Sequence, residues 1–84
     1  MNMAPTVSKS DSEYAMKFGV VLTVDQHGIY GDDWDWVARP EKPSWYPNAG
    51  VSRIPTGVDA RMAVRIVAER MKTGKTTPRG FCLA

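Results

Sequence analysis

Phe18-Gly19-Val20-Val21-Leu22-Thr23-Val24-Asp25-Gln26-His27-Gly28 is the stretch on which the fold turns. Phe18, Val20, Leu22 and Val24 alternate with Gly19, Val21, Thr23 and Asp25, a period of two enriched in β-branched residues, which is the pattern of a half-buried strand. Asp25-Gln26-His27-Gly28 then places Asp at the first and Gly at the fourth position of a type I turn, where Gly accepts the positive φ of a bulge. A hairpin is expected.

Downstream, the return strand is expected over residues 29–38. Tyr30, Trp34, Trp36 and Ala38 share one face, while Ile29, Gly31, Asp33, Asp35 and Val37 share the other, with Gly31 marking a bulge. Aromatic area on one side and a charged row on the other suit a sheet with one solvated face, so Trp34 and Trp36 are expected against a helix. Pro40, Pro43, Pro47 and Pro55, with Gly50 and Gly57, make residues 39–57 an extended connection that disfavours helix and central strand. Val51 to Ile54 form a candidate third strand. Thr56-Gly57-Val58-Asp59 has the form of a capping box, and a helix follows to about Lys72, with Gly74 where a left-handed C-cap residue would stand. Along that helix Ala60, Ala63, Val64, Val67, Ala68 and Met71 form a broad apolar face, Arg61, Arg65, Glu69 and Lys72 a polar stripe, and Met62 and Ile66 a second apolar side.

Upstream, residues 1–13 are rich in Ser, Asp, Asn, Pro and Thr and read as a mobile arm, which leaves residues 14–84 as a single α+β domain. The expected architecture is a small antiparallel β-sheet, a hairpin plus the candidate third strand, packed on one C-terminal helix. With 84 residues, 43% hydrophobic and 24% charged, the composition is that of a folded domain with a thin core. Cys82 is the one cysteine; it cannot close an internal disulfide, and its position third from the end does not fit a prenylation box. The longest apolar run, Phe18 to Val24, falls far short of a membrane span, and the N-terminus lacks the form of a secretory signal. A cytoplasmic location is the expectation.

The side chains that could carry chemistry are sparse. Gly74-Lys75-Thr76 imitates the end of a phosphate-binding loop, but Glu69 stands where the leading Gly belongs and the segment follows a helix rather than preceding one. His27, the only histidine, has no Ser or Cys nucleophile in a recognisable setting. Asp32, Asp33 and Asp35 supply the hard oxygens that Mg²⁺ or Ca²⁺ takes, yet strand alternation sends Asp32 away from the other two and no Ca²⁺-loop register surrounds them. No enzyme, cofactor or metal is expected; the three carboxylates read as a contact patch for a basic partner.

The charge is segregated. Residues 1–38 hold two basic against six acidic side chains, net −4, and residues 39–84 hold nine against three, net +6. Such asymmetry bears on partners rather than on fold. Trp45 and Tyr46, placed inside a proline-rich loop, either fold back over the core or present an aromatic anchor of the kind enriched at interface hot spots. Together with the unclaimed helix side these features point to a non-enzymatic protein that occupies a surface of a larger protein or nucleoprotein complex. The residues expected to make contact are Asp32, Asp33, Asp35, Trp45, Tyr46, Arg61, Arg65 and Lys72. The alternative is a nucleic-acid-binding module using Arg61, Arg65 and Lys72 with Lys75 and Arg79 beyond them, although Glu69 interrupts that stripe and Arg65 is spaced to pair with it. Met62 and Ile66 offer a further option, a homodimer through one self-complementary patch.

In element order alone, β-β-(β)-α, the chain is similar to many small phage and mobile-element proteins, including some anti-CRISPR proteins, and to HicB-type antitoxin domains. The order implies an inhibitor of a host system as one form of the binding role. No motif specific to those families is present.

Overall fold

The computed structural model describes residues 4–27 and 33–74. Along the chain come α1 (Lys9–Lys17), β1 (Val20–Gln26), β2 (Trp34–Pro40), a short 3-10 turn (Pro43–Trp45), β3 (Ser52–Pro55) and α2 (Ala60–Thr73). The three strands form one antiparallel sheet in the order β1-β2-β3, the same as their order in the chain. This is the expected α+β architecture with a C-terminal helix, joined by a second, N-terminal helix.

That first helix corrects the last part of the arm expected over residues 1–13, because residues 9–13 belong to α1. Its signal was present locally: the Ser8 side chain accepts from the Asp11 backbone N–H at 3.0 Å, an N-cap with an acidic residue three positions on. Its apolar content is low, so tertiary contacts must hold it. Ala15 is buried in the core, and the Arg61 Nε of α2 donates to Asp11 Oδ1 at 2.9 Å. The chain leaves α1 through Gly19, whose φ of +68° is accessible to Gly at little cost. The carbonyl of Gly19 accepts from the Glu41 N–H at 2.8 Å, which anchors the start of the proline-rich connection beside the end of α1.

The hairpin forms, but its turn is not at residues 25–28. Asp25 pairs with Asp35 and Gln26 with Trp34, and the His27 N–H donates to the Asp33 carbonyl at 2.8 Å, so pairing runs past the expected corner. Arg53, which faces Val37 across the β2–β3 pair, holds Asp25 in the extended strand through a 2.9 Å bond from Nη2 to Oδ2. The early part of the expected return strand, with Tyr30 and the Gly31 bulge, lies outside the described residues; β2 begins at Trp34.

Alternation along β2 sorts the side chains. Trp36 and Ala38 lie toward the helices with Val20 and Leu22 of β1 and Ile54 of β3, against Ala63, Val64, Val67 and Met71 of α2. Trp34 does not join them; it is half-buried and lines a cleft at the end of the sheet. Burial of the α2 face agrees with its periodicity except that Ala68 is only partly covered.

Two details of α2 differ from expectation. The helix begins at Ala60, so the N-cap is Asp59, accepting from the Arg61 N–H at 3.1 Å; Thr56 stands earlier, its N–H donating to the Trp34 carbonyl at 3.0 Å in continuation of the β2–β3 ladder. Gly74 has φ −99°, so no left-handed cap is made. Space explains the residue instead: a Cβ there would stand 3.0 Å from the Arg70 carbonyl oxygen and 3.1 Å from the Asn48 Cβ.

Candidate functional site

The connection between β2 and β3 builds the most unusual surface of the molecule. Pro43 opens a single 3-10 turn, closed by the Trp45 N–H on the Lys42 carbonyl and the Tyr46 N–H on the Pro43 carbonyl, each at 3.0 Å. Proline at the first position costs no donor there. A third bond, from the Ala49 N–H to the Tyr46 carbonyl, leads into Ala49, which is buried. The turn thereby splits the aromatic pair: Tyr46 packs against the core, while Trp45 stays 45% exposed. Of the two sequence readings of this pair, folding back describes Tyr46 and presentation describes Trp45.

Lys42 stands over the exposed ring, with Nζ 5.6 Å from the Trp45 centroid, within reach of a cation–π interaction. Tyr46 is a wall shared by two clefts. One, of about 210 Å³, is lined by Phe18, Gly19, Glu41, Lys42, Tyr46 and Met71. The other, of about 320 Å³, is lined by Arg39, Pro40, Pro43, Tyr46, Pro47, Gly50 and Val51. Phe18 at 43% exposure and Val51 at 52% add apolar area to the respective rims. Lys42, Arg39, Phe18 and Val51 are not among the contact residues expected from the sequence, where Phe18 and Val51 read as strand residues. Only Lys42 carried a local signal, its spacing three residues before Trp45.

The acidic residues fare differently. Asp32 lies outside the described residues and Asp33 is exposed. Asp35 is not a solvated contact residue, because its side chain is only 5% exposed and is engaged: Oδ2 lies 2.9 Å from His27 Nδ1 and 3.7 Å from Arg53 Nη1. Strand parity places Asp35 on the expected sheet face, and neighbouring side chains on that face cover it. The hydrogen bond from Arg53 holds the Asp25 carboxyl below its ordinary range, helped by the Gln26 backbone N–H; the same bond raises Arg53. His27, Asp33, Trp34 and Asp35 border a cleft of about 340 Å³ with Pro55, Thr56 and Gly57. Among the described residues no group of three or more His, Cys, Asp and Glu side chains stands together as a metal site would require.

The basic stripe of α2 is largely committed within the fold. Arg61 binds Asp11, donates to Ser10 Oγ at 2.7 Å and lies 4.5 Å from the Tyr14 ring centroid. Arg65 lies 3.7 Å from Asp59 rather than pairing with Glu69, and Lys72 is exposed. Lys75 and Arg79 lie outside the described residues. No helix among the described residues is long and apolar enough to cross a membrane.

Comparisons with family models, curated proteins and solved structures returned no match to this chain.

Proposed function

We propose that this chain is a non-enzymatic binding protein that acts by occupying a surface of a larger protein or nucleoprotein complex, with the proline-rich loop as its contact face and Trp45 as its anchor. The observation that carries the reading is the split of Trp45 from Tyr46. A tryptophan held by a hydrogen-bonded turn and nearly half exposed, next in the chain to the Tyr46 that walls two clefts, loses little conformational freedom when a partner covers it, and large rigid aromatics dominate interface energetics for that reason. An inhibitor of the phage or mobile-element kind, anti-CRISPR proteins included, is one form of this role; the β-β-(β)-α order behind that resemblance becomes α-β-β-β-α once α1 is counted, which lends it no support. Binding of nucleic acid through α2 receives less support, because Arg61 and Arg65 already have acidic neighbours in Asp11 and Asp59.

The test is quantitative co-purification from source cells with the wild-type chain and Trp45→Ala in parallel, after confirming that both melt alike. Proteins recovered with the wild type and depleted by the variant support the reading. Equal recovery with both removes Trp45 as the anchor. Retention of nucleic acid that falls steeply between roughly 50 and 200 mM salt, and is unaffected by Trp45→Ala, would favour the alternative.

A further inference from the structure

Resting on the proposed contact face, we infer the chemistry of the partner: an acidic segment carrying apolar side chains, with its carboxylates on Arg39 and Lys42 and its apolar groups in the two clefts beside Tyr46. Three observations lead there. Among the described residues, Arg39 and Lys42 are exposed and neither has an ion-pair partner, which they share with Lys9, Lys17, Arg70 and Lys72, but of these six only Arg39 and Lys42 line the clefts beside Tyr46. Arg39 and Lys42 sit one in each cleft lining, so positive charge marks both sides of the Tyr46 wall. The rest of the lining is mainly apolar, from Met71 and Phe18 on one side to the three prolines and Val51 on the other, with Glu41 as the one carboxylate.

Charge complementarity of this kind selects an anionic partner and disfavours a basic one. A polynucleotide is also anionic, and its bases stack on exposed aromatics. Here Lys42 already lies over the Trp45 ring, and the adjoining surface consists of separate apolar clefts. A base would compete with Lys42 for the ring, whereas a carboxylate can bind Lys42 where it stands. An acidic peptide segment therefore fits better than a phosphate chain.

Selection of a random dodecapeptide display library on the immobilised, full-length protein tests the inference. The expected result is enrichment of sequences combining Asp or Glu with Leu, Ile, Phe or Trp. Synthetic peptides from that pool should bind at least about tenfold more weakly to Trp45→Ala, as loss of a hot-spot side chain implies, and similarly to a double Arg39→Glu, Lys42→Glu variant. Lys42→Gln, which removes one charge without reversing it, gives a milder loss and serves if the double variant melts below the wild type. Peptides that depend on Trp45 but show no acidic bias, or that ignore the charge changes, overturn the acidic assignment while leaving the anchor role intact. A library that yields no Trp45-dependent peptide overturns the inference, and the co-purification result then judges the binding role separately. Displacement of the selected peptides by oligothymidylate, with the oligonucleotide binding tighter than they do, would also overturn it in favour of a single-stranded nucleic acid.

Discussion

The indole Nε1 of Trp36 donates to the carbonyl oxygen of Val58 at 2.9 Å, bridging 22 residues of chain. The bond ties the middle of the central strand to the turn that launches α2, while the ring packs against the core. Trp36→Ala should cost about 3 kcal/mol, the lower end for aromatic truncation because the residue is only half-buried. Trp36→Phe should keep most of the ring contact and lose about 1 kcal/mol with the hydrogen bond. Urea unfolding of both variants measures the difference; a Trp36→Phe variant as stable as the wild type would deny the bond any role, and equal losses in the two variants would deny one to the ring contact.

Asp35 lies almost wholly out of solvent against His27 and Arg53. Asp35→Asn should lower stability by about 1–3 kcal/mol, since it weakens charge-assisted bonds at a buried site. Asp33→Asn, at an exposed position, should stay within about 0.5 kcal/mol. Thermal melts of the two single variants separate the buried carboxylate from the solvated one; identical melts would contradict the burial.

Asp25 titrates below the ordinary 3.8 because Arg53 donates to its carboxylate and the Gln26 N–H adds to that. A carboxyl whose folded value lies under its unfolded one contributes stability that is fully present above the unfolded value and is lost as pH falls through the folded one. Arg53→Gln should therefore bring the Asp25 titration, followed by NMR of its side-chain carboxyl carbon, back up toward 3.8. An unchanged titration would place the cause elsewhere.

On α2, Met62 is 41% exposed and Ile66 is half-buried. Met62→Lys should change stability by no more than about 0.5 kcal/mol, whereas Ile66→Lys should cost on the order of 2 kcal/mol. Sedimentation velocity of the wild type over a concentration series examines self-association in the same experiment. A concentration-dependent coefficient that Met62→Lys abolishes would assign this side of the helix to a second copy of the chain.

The hairpin and the buried face of α2 were legible because each depends on a repeat within one element: two for Val20, Leu22 and Val24, and about 3.6 for Ala60, Ala63, Val64, Val67 and Met71. What stayed hidden depends on partners distant in the chain. Lys9–Lys17 looks too polar to fold until Arg61, 50 residues beyond Asp11, is seen to hold it. Asp35 looks solvated until the β1–β2–β3 register brings Arg53 and His27 over it. Trp45 and Tyr46 are adjacent aromatics with indistinguishable sequence surroundings, and only the 3-10 turn decides which one faces the core.

Because the strands neighbour one another in space in the order they leave the chain, the sheet can zip from short-range encounters, each needing only a modest loop to close. Folding should accordingly be fast for a protein with a sheet. The clasp between Asp11 and Arg61 spans most of the domain and has no reason to form before both helices exist. The amides of α1 should therefore exchange with deuterium through a low-energy local opening, well before those of Leu22, Ala38 and Val64, and the first helix should be the part of the molecule that comes loose while the rest stays folded.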